Sequence, residues 1–426
     1  MKLPRNVFQL LLVLEVAALV VVIIFGVIHN AQRAAMKTDK PVSNIQADKD
    51  ADREEFVAKK DDTEEISDDE EGTETPKELQ PAVFSEEVTA KLAAMTLEEK
   101  VAQMFLITPE ALTHTDTVEV AGEGTKTAVS NYPVGGLVYA SANFKNAQQT
   151  QALFSGVQQF SNERIGLPMF LAIQEVGGSD NSPLAAANGF QQQPSPAEIG
   201  ASGKPEEAGK AADGIASYMV QAGMNLNLMP VAELAGGTDA AHDTMCYGTD
   251  ASTASAMVAE AVNASRVKGL HTAVGIFPGK GIDGSTEEGW EAWKNSNVLV
   301  FQSCVNAGTD CIIMGNVTCE KLTGEAELFC SMSKDAVYYL RNDLGYTGIL
   351  MTDSLSEEAV TGKYSSGEVA VMAVKSGINM IYRPANFEEA YQAILDAVNN
   401  SEIPIETIDQ AVGYILTQKL AMAGGA

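Results

Sequence analysis

Leu344-Gly345-Tyr346-Thr347-Gly348-Ile349-Leu350-Met351-Thr352-Asp353-Ser354-Leu355 is an apolar strand pattern that ends on a carboxylate. A short unbroken apolar run bounded by glycine fits a strand buried on both faces, as in a parallel sheet. In a barrel of parallel strands, the C-terminal strand ends are where chemistry is placed. A second run, Gly275-Ile276-Phe277-Pro278-Gly279-Lys280-Gly281, closes another strand about 75 residues earlier.

Working outward from these two runs, the same pattern recurs. Residues 104–108, 136–139, 169–173, 225–229, 272–276, 311–314, 348–351 and 379–382 read as strands. Helical periodicity lies between most of them. In 146–164, Leu153, Val157 and Phe160 share a face, and in 335–344 Val337, Leu340 and Leu344 do the same. Residues 355–360 read as a helix that Asp353 could cap. Thr96-Leu97-Glu98-Glu99 has capping-box spacing, and Asn386-Phe387-Glu388-Glu389 places Asn and Glu equivalently. Eight strand–helix units over about 330 residues predict an α/β fold of the (β/α)8 TIM-barrel type. A doubly wound open sheet is the runner-up. Gly122-Glu123-Gly124 reads as loop with no helix opening there, so no dinucleotide fingerprint follows the first strand. HExxH, P-loop and EF-hand patterns are absent, and neither metal nor cofactor is expected.

The barrel pattern occupies residues 81–426. Before it, residues 7–28 are almost entirely apolar, about the length a helix needs to cross a bilayer. Lys2 and Arg5 in residues 1–6 favour a cytoplasmic N-terminus, so this span predicts a single-pass anchor with the barrel outside the cell membrane. A cleaved signal peptide is the rival reading. Residues 29–80 read as an acidic, disordered linker. Its 39–78 portion holds 16 acidic against 6 basic residues, a net of −10, and cannot bury enough apolar surface to fold. The whole chain carries −29, which argues against nucleic acid, whose binding rests on Lys and Arg meeting phosphates. The five cysteines, Cys246, Cys304, Cys311, Cys319 and Cys330, form no CxxC pair, and an odd number leaves at least one unpaired within the chain.

Several motifs in order resemble glycoside hydrolase family 3, of the single-domain bacterial β-N-acetylglucosaminidase type. Lys91 to Phe105 resembles the family's opening helix and first strand. Pro133-Val134-Gly135-Gly136-Leu137 resembles its second strand, Gly166-Leu167-Pro168-Met169-Phe170-Leu171-Ala172-Ile173 its third, and Ala222 to Val231 its fourth. The resemblance implies a retaining β-N-acetylhexosaminidase, with Asp353 in the nucleophile position and a carbohydrate substrate such as cell-wall glycan.

The same resemblance exposes departures. After the third strand the family reads Asp-Gln-Glu-Gly-Gly-Arg; here Gln174-Glu175-Val176-Gly177-Gly178-Ser179 stands, which makes Gln174 and Glu175 candidate sugar contacts. Met245-Cys246-Tyr247-Gly248 replaces an Arg-Ser-Phe-Gly-like stretch. Gly275 and Ile276 occupy Lys and His positions, and Lys280 replaces a second His, so Lys280 is a further candidate contact. Retaining hydrolysis needs a nucleophile and an acid/base flanking the scissile bond. The family's acid/base His falls near Thr286-Glu287-Glu288, making Glu287 and Glu288 candidates for that role, with a helix first turn as the alternative. Trp290 and Trp293 could stack on sugar or pack a helix. A barrel that binds glycan or a cell-envelope partner without hydrolysing it is the other functional reading.

Overall fold

A computed structural model of the chain describes residues 78–424 apart from 237, 238 and 281. The apolar span 7–28 and nearly all of the acidic linker lie outside the described residues. Among the described residues, no helix is long and apolar enough to cross a membrane.

Eight strands form one parallel sheet: β1 Phe105–Ile107, β2 Gly136–Val138, β3 Phe170–Ile173, β4 Leu226–Asn227, β5 His271–Phe277, β6 Cys311–Met314, β7 Ile349–Thr352 and β8 Ile381–Tyr382. From β1 to β7 each pairs with its neighbour in sequence, and β8 returns to β1 through Phe105↔Ile381 and Leu106↔Tyr382. A single bridge between Met351 and Met380 spans the β7–β8 gap, leaving a nearly closed TIM-type barrel. Every expected strand is present, though β4 and β8 are shorter than their apolar runs. Beyond β4 the chain passes Pro230, which has no N–H to give a ladder, and its main chain bridges to β5 at Val231↔Gly275.

The barrel interior is small, and the sequence answers with small residues where strands cross closely. A Cβ on Gly136 of β2 would lie 2.6 Å from Leu106 Cδ1 and 2.7 Å from Phe170 Cβ, so no other residue fits between β1 and β3. Around the barrel, helices such as Ala147–Ile165, Pro205–Ala222 and Ala251–Val267 lay apolar faces on the strands. Leu153 and Val157 are buried as their spacing predicts. Thr96 closes the expected capping box with Glu99, and Asn386 caps its helix by accepting from the Glu389 amide.

Three local expectations are corrected. A helix does open at Gly122: Glu123–Asn131 follows an inserted short helix, Pro109–Thr113, that the loop reading missed. The 335–344 pattern is not one α-helix, because Lys334–Tyr338 widens into a π turn at Tyr339–Asp343. The 355–360 helix shrinks to Glu358–Thr361 with Glu357 as its cap residue, so Asp353 caps nothing.

Polar plugs hold the N-terminal pole of the barrel. Lys419, from the last helix Ile405–Gly424, is fully enclosed and donates to Gln103 Oε1 at 2.8 Å. Gln103 in turn donates to the carbonyls of Pro133 and Val134 just before β2. Arg341 donates to the carbonyls of Tyr346 and Gly348 and to Asn379 Oδ1, tying the entries of β7 and β8 together.

Candidate active site

The C-terminal strand ends carry the polar side chains. β7 runs apolar to Thr352, whose Oγ1 accepts from the Tyr382 amide at 3.0 Å and so locks β7 to β8. Asp353 follows. Its backbone N–H donates to Met314 O at 2.7 Å, fixing it against the end of β6, and its Oδ1 accepts from the Ser354 amide at 2.8 Å. Burial pushes the Asp353 carboxyl up to about 6. Glu357 pushes the same way and Glu233 adds a little, while the Ser354 amide and Lys280 oppose them. Buried Asn316 fixes this loop, donating to Ser354 O at 2.9 Å and Glu357 Oε2 at 3.3 Å. An Asp so held is ionised at neutral pH yet poorly solvated, which suits a nucleophile.

Lys280 lies past the turn that ends β5. Its side chain is exposed, its charge acts on Asp353, and its backbone N–H donates to Glu233 Oε2 at 2.9 Å. Glu233 comes from the segment after β4 and is 2% exposed. It also accepts from the Ile276 amide at 3.1 Å, thereby clamping both sides of the Phe277-Pro278-Gly279 turn. His242 Nε2 lies 3.3 Å from Glu233 Oε2. Neither Glu233 nor His242 was expected from the sequence. The available signal was an acid just past the Met229-Pro230-Val231-Ala232 run, and a His in the loop it opens.

Gln174, exposed after β3, lines a cavity of about 540 Å³ at the ends of β8, β1, β2 and β3. Thr108, Tyr139, Ile173, Tyr382 and Arg383 share its wall. Arg383 holds a left-handed φ of 43°, unusual for a residue with a side chain, and its amide donates to Leu106 O at 2.9 Å. Tyr382 links this cavity to Asp353, whose charge bears on its hydroxyl.

Glu175 is corrected. Its carboxylate is fully enclosed and accepts from the Leu184 and Ala185 amides and from Tyr218 OH, at 2.9, 3.0 and 2.8 Å. Both oxygens are occupied in holding the helix Pro183–Asn188, so Glu175 is not offered to a sugar. The glycines after it are structural too: Gly177 has φ 103°, and a Cβ there would strike the Pro194 carbonyl oxygen.

Glu287 and Glu288 are corrected as acid/base candidates. Both are exposed in the first turn of the helix Glu287–Lys294. The Lys321 ammonium, 2.8 Å from Glu287 Oε2, holds that carboxyl below its usual range, the wrong direction for a proton donor. Trp293 is a packing residue, 2% exposed, with its Nε1 donating to Pro278 O at 2.9 Å. It thus supports the β5 turn from behind. All five cysteines are free thiols in buried positions. Among the described residues, no group of His, Cys, Asp and Glu is arranged to hold a metal.

Residues 96–418 match the family described as "Glycosyl hydrolase family 3 N terminal domain". The chain belongs to glycoside hydrolase family 3. A relative, the "Beta-N-acetylglucosaminidase/beta-glucosidase" of Cellulomonas fimi, is 22% identical over 353 residues, covering 79% of this chain and 59% of its own. The "Beta-hexosaminidase" of Tolumonas auensis is 25% identical over 281 residues, or 63% of this chain and 80% of its own. The solved family 3 β-N-acetylglucosaminidase of a Paenibacillus species superposes with a TM-score of 0.71 at 27% identity, covering 78% of this chain and 64% of that one. The chain therefore spans less than two thirds of the Cellulomonas and Paenibacillus proteins. These relatives are glycosidases by name, and the mouth of this barrel carries the Asp353 carboxylate at the end of β7.

Proposed function

We propose that this family 3 barrel hydrolyses terminal β-N-acetylhexosaminides by a retaining mechanism, with Asp353 as nucleophile. The observation that carries the reading is the Asp353 carboxylate, held at the end of β7 beside Lys280 and Glu233, with its proton affinity raised by burial. In this reading Gln174 and Lys280 contact the sugar, and the adjoining cavity accommodates glycan. Residues 7–28 anchor the chain, with the barrel outside the cell membrane and the acidic segment as tether. Cell-wall glycan is then the substrate within reach.

A second reading is a barrel that binds glycan without cleaving it. It is favoured by what stands at the β4 and β5 ends, where Cys246, Gly275 and Ile276 offer no charge to a sugar hydroxyl. A panel of aryl β-glycosides separates the two. The first reading expects wild type to release aglycone from the N-acetylglucosaminide and Asp353→Asn to fall to background, since an amide cannot form the glycosyl ester. If both proteins bind the same glycans and neither turns them over, the second reading holds.

A further inference from the structure

We propose that the cavity at the ends of β8, β1, β2 and β3 is a second sugar subsite, which takes the pyranose unit joined to the one at Asp353. The inference rests on the hydrolytic reading above and deepens it: the substrate is an oligosaccharide, and Arg383 helps to select it.

The cavity adjoins the nucleophile. Tyr382 lines it, and the main chain on both sides of Asp353 is tied to Tyr382. The Tyr382 amide donates to Thr352 Oγ1 at 3.0 Å, and the Leu355 amide donates to Tyr382 O at 3.0 Å. Asp353 and Tyr382 therefore stand one strand spacing apart, roughly 5 Å between main chains. A volume of about 540 Å³ falls within the range of small-molecule sites, roughly 300–1,000 Å³. Gln174 and Ser179, which stand where the family pattern has Asp and Arg, both line it. Two departures of this chain from that pattern thus open on one space.

The wall carries hydrogen-bonding capacity that the protein leaves unused. Tyr139 is 3% exposed and Ser182 is 1% exposed, and neither hydroxyl finds a partner among the described residues. An enclosed polar group left unpaired is a cost, which a ligand hydroxyl at this wall relieves. Glu110 Oε1 accepts from Asn143 Nδ2 at 2.6 Å and from the Val118 amide at 2.9 Å, while its Oε2 accepts nothing among the described residues. Arg383 is exposed and makes no ion pair among the described residues, and its guanidinium lies 5.9 Å from the centre of the Tyr382 ring. The other three arginines of the barrel are engaged elsewhere. Arg164 pairs with Glu99, Arg266 donates to Ala307 O, and Arg341 ties the entries of β7 and β8. The left-handed φ of Arg383 is backbone strain of the kind that collects at ligand sites.

The same wall selects a neutral sugar over an anion. Arg383 shares it with two acids, Glu110 and Asp180, so the cavity holds no excess of positive charge. A sugar hydroxyl donates and accepts at once. One pyranose can therefore meet the Arg383 donors and the Glu110 and Asp180 acceptors together.

The test uses the full chain carrying Asp353→Asn, titrated calorimetrically with N-acetylglucosamine and with its β-1,4-linked disaccharide. The disaccharide is expected to bind at least about 10-fold tighter. Arg383→Gln is then added, and separately Ser141→Phe or Ala186→Phe, which fill the cavity from exposed positions on its wall. Each protein is checked for folding by circular dichroism. Every folded variant is expected to bring the two sugars within about twofold of each other. A disaccharide that binds no tighter than the monosaccharide, or a preference that survives the filled cavity, overturns the subsite. A preference lost on filling but kept in Arg383→Gln overturns the role given to Arg383. Turnover of an aryl β-N-acetylglucosaminide by the protein with Asp353 intact shows separately that the hydrolytic reading stands. Absence of that turnover, with neither sugar bound, overturns both.

Discussion

In the proposed mechanism, Asp353 sets how the site responds to pH. As a nucleophile it must be ionised, and burial holds its carboxyl at about 6, so kcat/KM is expected to fall as pH drops through 6. Glu357 raises that value and Lys280 lowers it. Glu357→Gln should therefore move the acid limb to lower pH, and Lys280→Met should move it higher. pH–rate profiles of the two variants check this, and limbs that shift together or not at all would separate Asp353 from the observed titration. At this scale the sequence was uneven. Asp353 was legible because it ends a continuous apolar strand. Gln174 and Glu175 looked alike on paper, yet one is exposed and the other enclosed by Leu184, Ala185 and Tyr218. That difference depends on the helix Pro183–Asn188 folding back onto the strand end, a contact no local pattern announces. Glu287 lost its role for a similar reason: its partner Lys321 lies 34 residues away.

At the scale of elements, strands were easier to read than helix ends. Apolar runs buried on both faces have one reading once length and flanking glycines are counted. Helix limits depended on caps such as Thr96 and Asn386, which were visible, and on tertiary demands such as the π turn at Tyr339–Asp343, which were not. The last helix carries a further consequence. Burial pulls the Lys419 ammonium down to about 7. Between pH 7 and the ordinary lysine range near 10.5, the unfolded chain binds more protons than the folded one, so this group makes stability rise with pH across that window. Below pH 7 both states are protonated and the full burial cost remains. Lys419→Met should abolish the rise and be more stable than wild type at neutral pH, by up to a few kcal/mol. The gain is reduced because Gln103 Oε1 loses its donor. Urea midpoints from pH 7 to 10 test this; parallel curves for the two proteins would contradict it.

For the whole molecule, the alternation of eight strands and helices made the barrel readable, and its near closure came from the Met351↔Met380 bridge, which no periodicity could count. The topology proposal has its own check. Protease added to intact protoplasts should release the barrel by cutting within residues 39–78, and full protection would place it on the other side of the membrane. The central claim is that Asp353 attacks sugar. Its most direct test is to incubate the protein with a fluorinated N-acetylglucosaminyl donor that slows hydrolysis of the intermediate, then digest it and locate the added mass. The account predicts one sugar esterified to Asp353 in wild type and none in Asp353→Asn. Turnover of the donor with the label on another residue, or equal labelling of Asp353→Asn, would contradict it.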